Sequence, residues 1–132
     1  MTVSLFLIGI CAFAQNHWNI SDIQPNEEFD NIFIEKLSSD SLSSSFVIWV
    51  KKMVSSHKHI LHTESLYVIE GEGNMIIGED EFKISAGSYL VIPPSTFHSV
   101  QVTSDKPLKV VSVQAPEFLG EDRIFAGQLK RP

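Results

Sequence analysis

Between Ser45 and Ala115 the chain is a succession of short apolar runs, "SFVIWVKKMV", "ESLYVIE", "NMIIG", "EFKI", "SYLVI", "FHSVQV" and "LKVVSVQA", separated by EGEG, GEDE, SAG, PPST and TSDKP. Each run has the length of a strand, is enriched in β-branched and aromatic residues, and stops at turn formers. No window in this stretch repeats with the 3.6-residue period of a helix. Runs at this spacing specify an all-β sandwich or barrel, so the expected fold is a small antiparallel β-barrel over residues 46–115 with few or no helices. Pro93-Pro94 cannot sit inside a central strand and forces a loop before Phe97.

The flanks are different in character. Residues 15–45 read as an N-terminal arm carrying an edge strand, "FDNIFIEKL" (Phe29 to Leu37), and a serine-rich loop, "SSDSLSSS". Residues 116–132 read as an irregular tail pinned to the barrel by Phe118, Leu119, Ile124 and Phe125. The first fourteen residues, MTVSLFLIGICAFA, are uncharged and end in Ala12-Phe13-Ala14, the small-x-small pattern of a signal peptide. Export to the periplasm or medium follows if this segment is cleaved. A buried N-terminal strand, or a start further upstream, is the other reading, and it leaves the protein cytoplasmic. The segment is too short to span a bilayer. The one cysteine, Cys11, lies within it, so a processed chain has no thiol, and its chemistry must come from histidine, carboxylate, hydroxyl or lysine.

With 132 residues the chain is the size of one domain. Ten basic against sixteen acidic residues leave a net charge of −6, and no basic cluster exceeds the pair Lys51-Lys52. That excludes the basic footprint that nucleic acid requires.

Four of the five histidines fall between residues 57 and 98. His57 and His59 are two apart on a strand or its end, so both side chains point to one face. Glu64 opens the next strand, and His98 opens a later one beyond the Pro-Pro loop. Neutral imidazoles with one carboxylate suit a divalent transition metal such as Fe, Mn, Ni, Co, Cu or Zn, and four protein ligands leave octahedral positions open. His62 has the opposite parity and is expected either at the rim or as a group behind the ligands. Trp49, Met53, Leu66 and Val100 are expected in the barrel core, where they serve as pocket wall.

These residues resemble the motifs of the cupin superfamily. The pattern G-x5-H-x-H-x3,4-E-x6-G is met by His57, His59, Glu64 and Gly71, and G-x5-P-x-G-x2-H-x3-N by Gly87, Pro93 and His98. The chain departs at three positions, with Lys51 and Ser95 standing where the pattern has glycine and Val102 where it has asparagine. The ending "QAPEFLGEDRIF" is also similar to that of many small single-domain members. The resemblance implies a jelly-roll β-sandwich barrel, a metal held by His57, His59, Glu64 and His98, and a homodimer pairing edge strands. It leaves the reaction open. The family includes dioxygenases, isomerases and epimerases as well as non-catalytic sensors and binding modules, so a small-molecule enzyme and a binding module both remain expectations.

Overall fold

Residues 17–128 are described in a computed structural model. The signal-peptide reading of residues 1–14, and Cys11 with it, lies outside them. The apolar runs become ten strands: β1 (Ile32–Ser39), β2 (Ser44–Val50), β3 (Met53–His59), β4 (Thr63–Glu70), β5 (Glu72–Ile77), β6 (Asp80–Ser85), β7 (Tyr89–Ile92), β8 (His98–Val102), β9 (Leu108–Ala115) and β10 (Arg123–Phe125). A single 3₁₀ turn, Ala126–Gln128, follows β10.

The strands form two antiparallel sheets, ordered β1-β2-β9-β4-β7 and β10-β3-β8-β5-β6. The fold is therefore the expected all-β jelly roll, but as a sandwich. No strand pairing joins the sheets among the described residues, which corrects the expectation of a closed barrel. Between the sheets lie Val50, Val68, Met75, Ile84, Leu90, Ile92, Val100, Leu108 and Val110. Each such side chain contributes about 1.5–3 kcal/mol by leaving water. Strand alternation does the sorting: in β7, Leu90 and Ile92 turn inward while Tyr89 and Val91 face solvent.

The run "SFVIWVKKMV" is two strands in different sheets. The chain changes sheets at Lys51-Lys52, where Asn31 acts as a clamp. Its Oδ1 accepts from the backbone N–H of Lys52 (2.9 Å) and Met53 (3.2 Å), and its Nδ2 donates to the Met53 carbonyl (2.8 Å). Such side-chain to backbone bonds leave no trace in hydrophobic periodicity. A later change of sheet, from β4 to β5, is made at Gly71, whose φ is +83°. A Cβ there would lie 2.7 Å from the Pro107 carbonyl oxygen and 2.8 Å from Leu108 Cα.

Ser95 holds a φ of +62°, a left-handed conformation more natural to the glycine it replaces in the motif. Its N–H donates to the His59 carbonyl at 2.6 Å, so the turn survives the substitution and is tied to the histidine strand.

The N-terminal arm covers the outer face of the first sheet. Lys109 is buried and its ammonium donates to the carbonyls of Ile20 (2.7 Å) and Ile23 (2.8 Å). Phe29, Phe33 and Trp49 form a chain of ring contacts beside it. Trp49, only 4% exposed, is thus buried under the arm and not in the pocket wall, because both faces of β2 are covered. At the other end, Phe118 packs on Phe46 and β10 pairs with β3, but Leu119 is 74% exposed and pins nothing. Among the described residues no helix is long and apolar enough to cross a membrane.

Candidate metal centre

β3 delivers His57 and His59, β8 delivers His98 directly across from His57, and β4 of the opposite sheet delivers Glu64. All four side chains are buried. One nitrogen from each of His57, His59 and His98 lies within 4.8 Å of the others, close enough to hold an ion. Glu64 Oε2 is 3.3 Å from His98 Nε2 and 3.8 Å from His59 Nε2. Neither nitrogen is aligned for a hydrogen bond, and both are buried with no partner. Buried polar atoms are almost always paired. Unpaired imidazole nitrogens converging on a carboxylate are what a cation would complete, and the donor set fits a divalent transition metal.

The rings are aimed from behind. His57 Nδ1 donates to the Ser55 carbonyl (2.8 Å) and His98 Nδ1 to the Thr96 carbonyl (3.1 Å), each two residues back in the chain. A carbonyl only accepts, so Nδ1 carries the proton and Nε2 keeps its lone pair. His59 Nδ1 is held by Asp122 Oδ1 at 3.1 Å. Glu64 Oε1 accepts from Ser112 Oγ (2.6 Å) and Gln114 Nε2 (3.2 Å), leaving Oε2 toward the histidines.

Electrostatics favour the metal-ready protonation states. Burial, helped by neighbouring His98, lowers the His57 pKa from 6.5 to about 4. Burial also lowers that of His59, against the pull of Asp122 and Glu64. For Glu64 burial would raise the pKa, but His98, Ser112 and His59 outweigh it and bring it to about 2. His57 supplies a test in metal-free protein. Its unfolded form takes up a proton near pH 6.5 and its folded form only near pH 4, so stability falls as pH drops through that window, by about 3 kcal/mol from this group. The melting temperature of chelator-treated protein is expected to fall between pH 6.5 and 4, and the His57→Gln variant to flatten the curve. A parent curve that is already flat would contradict this.

Of the two places expected for His62, the structure gives the one behind the ligands and not the rim. His62 is buried, with Nδ1 bonded to Asp122 Oδ2 and Nε2 donating to the Glu117 carbonyl at 2.8 Å. His59, His62 and Asp122 are also close enough together to hold an ion, but both His62 nitrogens are already engaged. The group works instead as a brace: Asp122 joins His62 to His59 and also accepts from the Leu61 N–H (3.0 Å). Burial resists ionisation of Asp122, yet the Leu61, His59 and His62 bonds lower its pKa overall. Carboxylates behind a ligating histidine typically matter by 10–100-fold in metal affinity. Asp122→Asn is therefore expected to weaken metal binding by roughly 10-fold or more, read by competition with a chromophoric chelator; unchanged affinity would remove Asp122 from the centre.

A cavity of about 80 Å³ opens beside His57, Glu64 and His98. Leu66 and Val100 line it, as do Ile48, Val54, Leu90 and Arg123. Met53 does not. A β-bulge between Val54 and His57 shifts the register, so Val54 turns inward while Met53 is 43% exposed. Asp122, Ser112 and Gln114 bond to the candidate ligands and carry no expectation from the sequence. For Ser112 and Gln114 a signal existed: they continue the inward parity of Leu108 and Val110, so β9 carries two polar residues on a core face.

Comparison with known proteins agrees with this geometry. The sequence profile of the cupin domain matches residues 45–114. An uncharacterized protein of Methanocaldococcus jannaschii is 33% identical over 66 residues, 50% of this chain and 53% of that protein. The quercetin 2,3-dioxygenase of Bacillus subtilis is 33% identical over 63 residues, 48% of this chain but only 18% of the enzyme. The chain thus spans about half the length of the first relative and far less of the second. A double-stranded β-helix protein from Klebsiella pneumoniae superposes with a TM-score of 0.70 at 19% identity, over 84% of this chain and 96% of that one. A two-sheet jelly roll whose strands β2 to β9 coincide with the matched profile, and whose buried histidines and glutamate occupy the motif positions, belongs to the cupin superfamily.

Proposed function

We propose that the protein is a metal-dependent enzyme that transforms a small molecule in the cavity between its sheets, by dioxygenase-like or isomerase- and epimerase-like chemistry. The observation that carries this reading is the pair of buried, partnerless nitrogens, His59 Nε2 and His98 Nε2, converging on Glu64 Oε2, with His98 and Glu64 at the wall of an apolar cavity. His57, His59, Glu64 and His98 would hold the cation. When bound, a divalent metal with open positions supplies Lewis-acid polarisation of a substrate oxygen or a site for dioxygen.

The chain's own groups do the rest. Ser112 and Gln114 keep Glu64 ionised and oriented, Ser55, Thr96 and Asp122 fix the imidazole tautomers, and the apolar lining from Ile48, Leu66, Leu90 and Val100 excludes water around the reacting group. The similarity to a quercetin dioxygenase supports the oxygenase branch, over a fraction of that enzyme's length.

A non-catalytic binding module is the second reading. It is favoured by the sparse polar lining, where beyond the proposed ligands only Ser99 and Arg123 add polar side chains. Elemental analysis of protein purified without added metal, beside the double variant His57→Ala, His59→Ala, tests the shared premise. A stoichiometric divalent metal in the parent and its loss in the variant are expected; equal contents would overturn the site. Metal-dependent turnover in a small-molecule screen would then decide for the enzyme, and tight ligand retention without turnover for the module.

A further inference from the structure

Arg123 has no part in holding the centre, yet it faces it. It lies opposite His59 in the β10–β3 ladder, on the inward-facing parity shared with Phe125, and it lines the cavity. Its Nε is buried without a hydrogen-bond partner. The guanidinium carbon sits 5.6 Å from the Phe118 ring centroid, a cation–π contact that steadies the group. Among the described residues no carboxylate forms an ion pair with it. The adjacent Asp122 is engaged by His59, His62 and the Leu61 N–H, and Glu64 Oε1 by Ser112 and Gln114.

A part-buried guanidinium with an unsatisfied donor in an apolar cavity is costly until an anion completes it. The arginine fork matches the planar geometry of a carboxylate, and the pair is stronger where water is scarce. The volume selects for size: about 80 Å³ corresponds to roughly six water-sized sites. We propose that the cavity takes a compact carboxylate, anchored by Arg123, with its short apolar body against Ile48, Leu66 and Leu90. This rests on the cavity being the reaction site proposed above. The charge count agrees: Glu64 and Asp122 together would balance a divalent cation, which leaves the Arg123 charge to be met by an anion.

The probes are butanoate, butan-1-ol and inorganic phosphate, titrated into the full chain by protein-observed NMR, both chelator-treated and metal-loaded. Butanoate is expected to bind roughly 10-fold or more tightly than butan-1-ol to both forms. Arg123→Gln should abolish that preference while leaving butan-1-ol affinity unchanged, and Arg123→Lys should retain part of it; melting curves establish that the variants fold. Equal affinity of the parent and Arg123→Gln for butanoate would overturn the anchor. So would phosphate binding more tightly than butanoate, which would reassign the anion. A butanoate preference confined to metal-loaded protein and surviving Arg123→Gln would give the carboxylate to the cation, leaving the metal centre intact. Conversely, an Arg123-dependent preference in protein whose metal content ignores the histidine double variant would keep the anchor and remove the metal.

Discussion

Changing Glu64 to glutamine is expected to weaken divalent-metal binding by about 100-fold or more. Glu64 is the one anionic group among the four proposed ligands, and its Oε2 faces two imidazoles at 3.3 and 3.8 Å. Glutamine preserves the shape, and its carbonyl oxygen can still accept from Ser112 and Gln114. What disappears is the charge, and in a buried site even an effective dielectric near 20 makes a charge contact of this length worth several kcal/mol. The metal-free variant is expected to fold with a smaller loss. The folded pKa of Glu64, about 2 against 4.5, means the ionised form is favoured in the fold, by about 3 kcal/mol at most. That contribution is present above pH 4.5 and fades as pH falls toward 2. Chelator competition measures the affinity, and unfolding with and without metal separates the two effects. Binding within a few-fold of the parent would show that Glu64 is not a ligand.

The second large effect is on folding. Gly71→Ala is expected to cost at least about 3 kcal/mol, a large part of the total stability of such a domain. The cost has two sources: a φ of +83° that disfavours any side chain, and a methyl group that would press on the Pro107 oxygen and Leu108 Cα, backbone atoms that cannot rotate aside. Gly87 separates them. Its φ is +91°, but a Cβ there meets nothing within 4 Å, so Gly87→Ala should cost only the conformational part, about 1–2 kcal/mol. Denaturant unfolding of the two variants supplies the comparison, and equal losses would mean that close packing at Gly71 contributes nothing.

Much of the site was legible because strand geometry writes it locally. His57 and His59 share a face by alternation, Glu64 follows across a short connection, and His98 opens a strand after a proline-enforced loop. The structure brings these four side chains together. What escaped depends on contacts distant in sequence. Asp122 reaches His59 across 63 positions, from a tail that alternation describes as irregular, and β10 is three residues long. Met53 was misplaced because a bulge reverses the parity that local reading assumes, and Trp49 because an arm buries the outer face of its strand. Closure into a barrel could not be read either, since it depends on whether strand pairings continue around the edge, and here they stop at β1, β7, β6 and β10.

Of the four side chains three come from one sheet and the fourth from the other, and among the described residues no ladder of backbone hydrogen bonds crosses the gap. An ion shared among them would be a clasp between two otherwise separately bonded leaves. Any breathing motion that parts the leaves would have to release the ion first, so its binding energy would be drawn on by the whole molecule and not by the cavity alone.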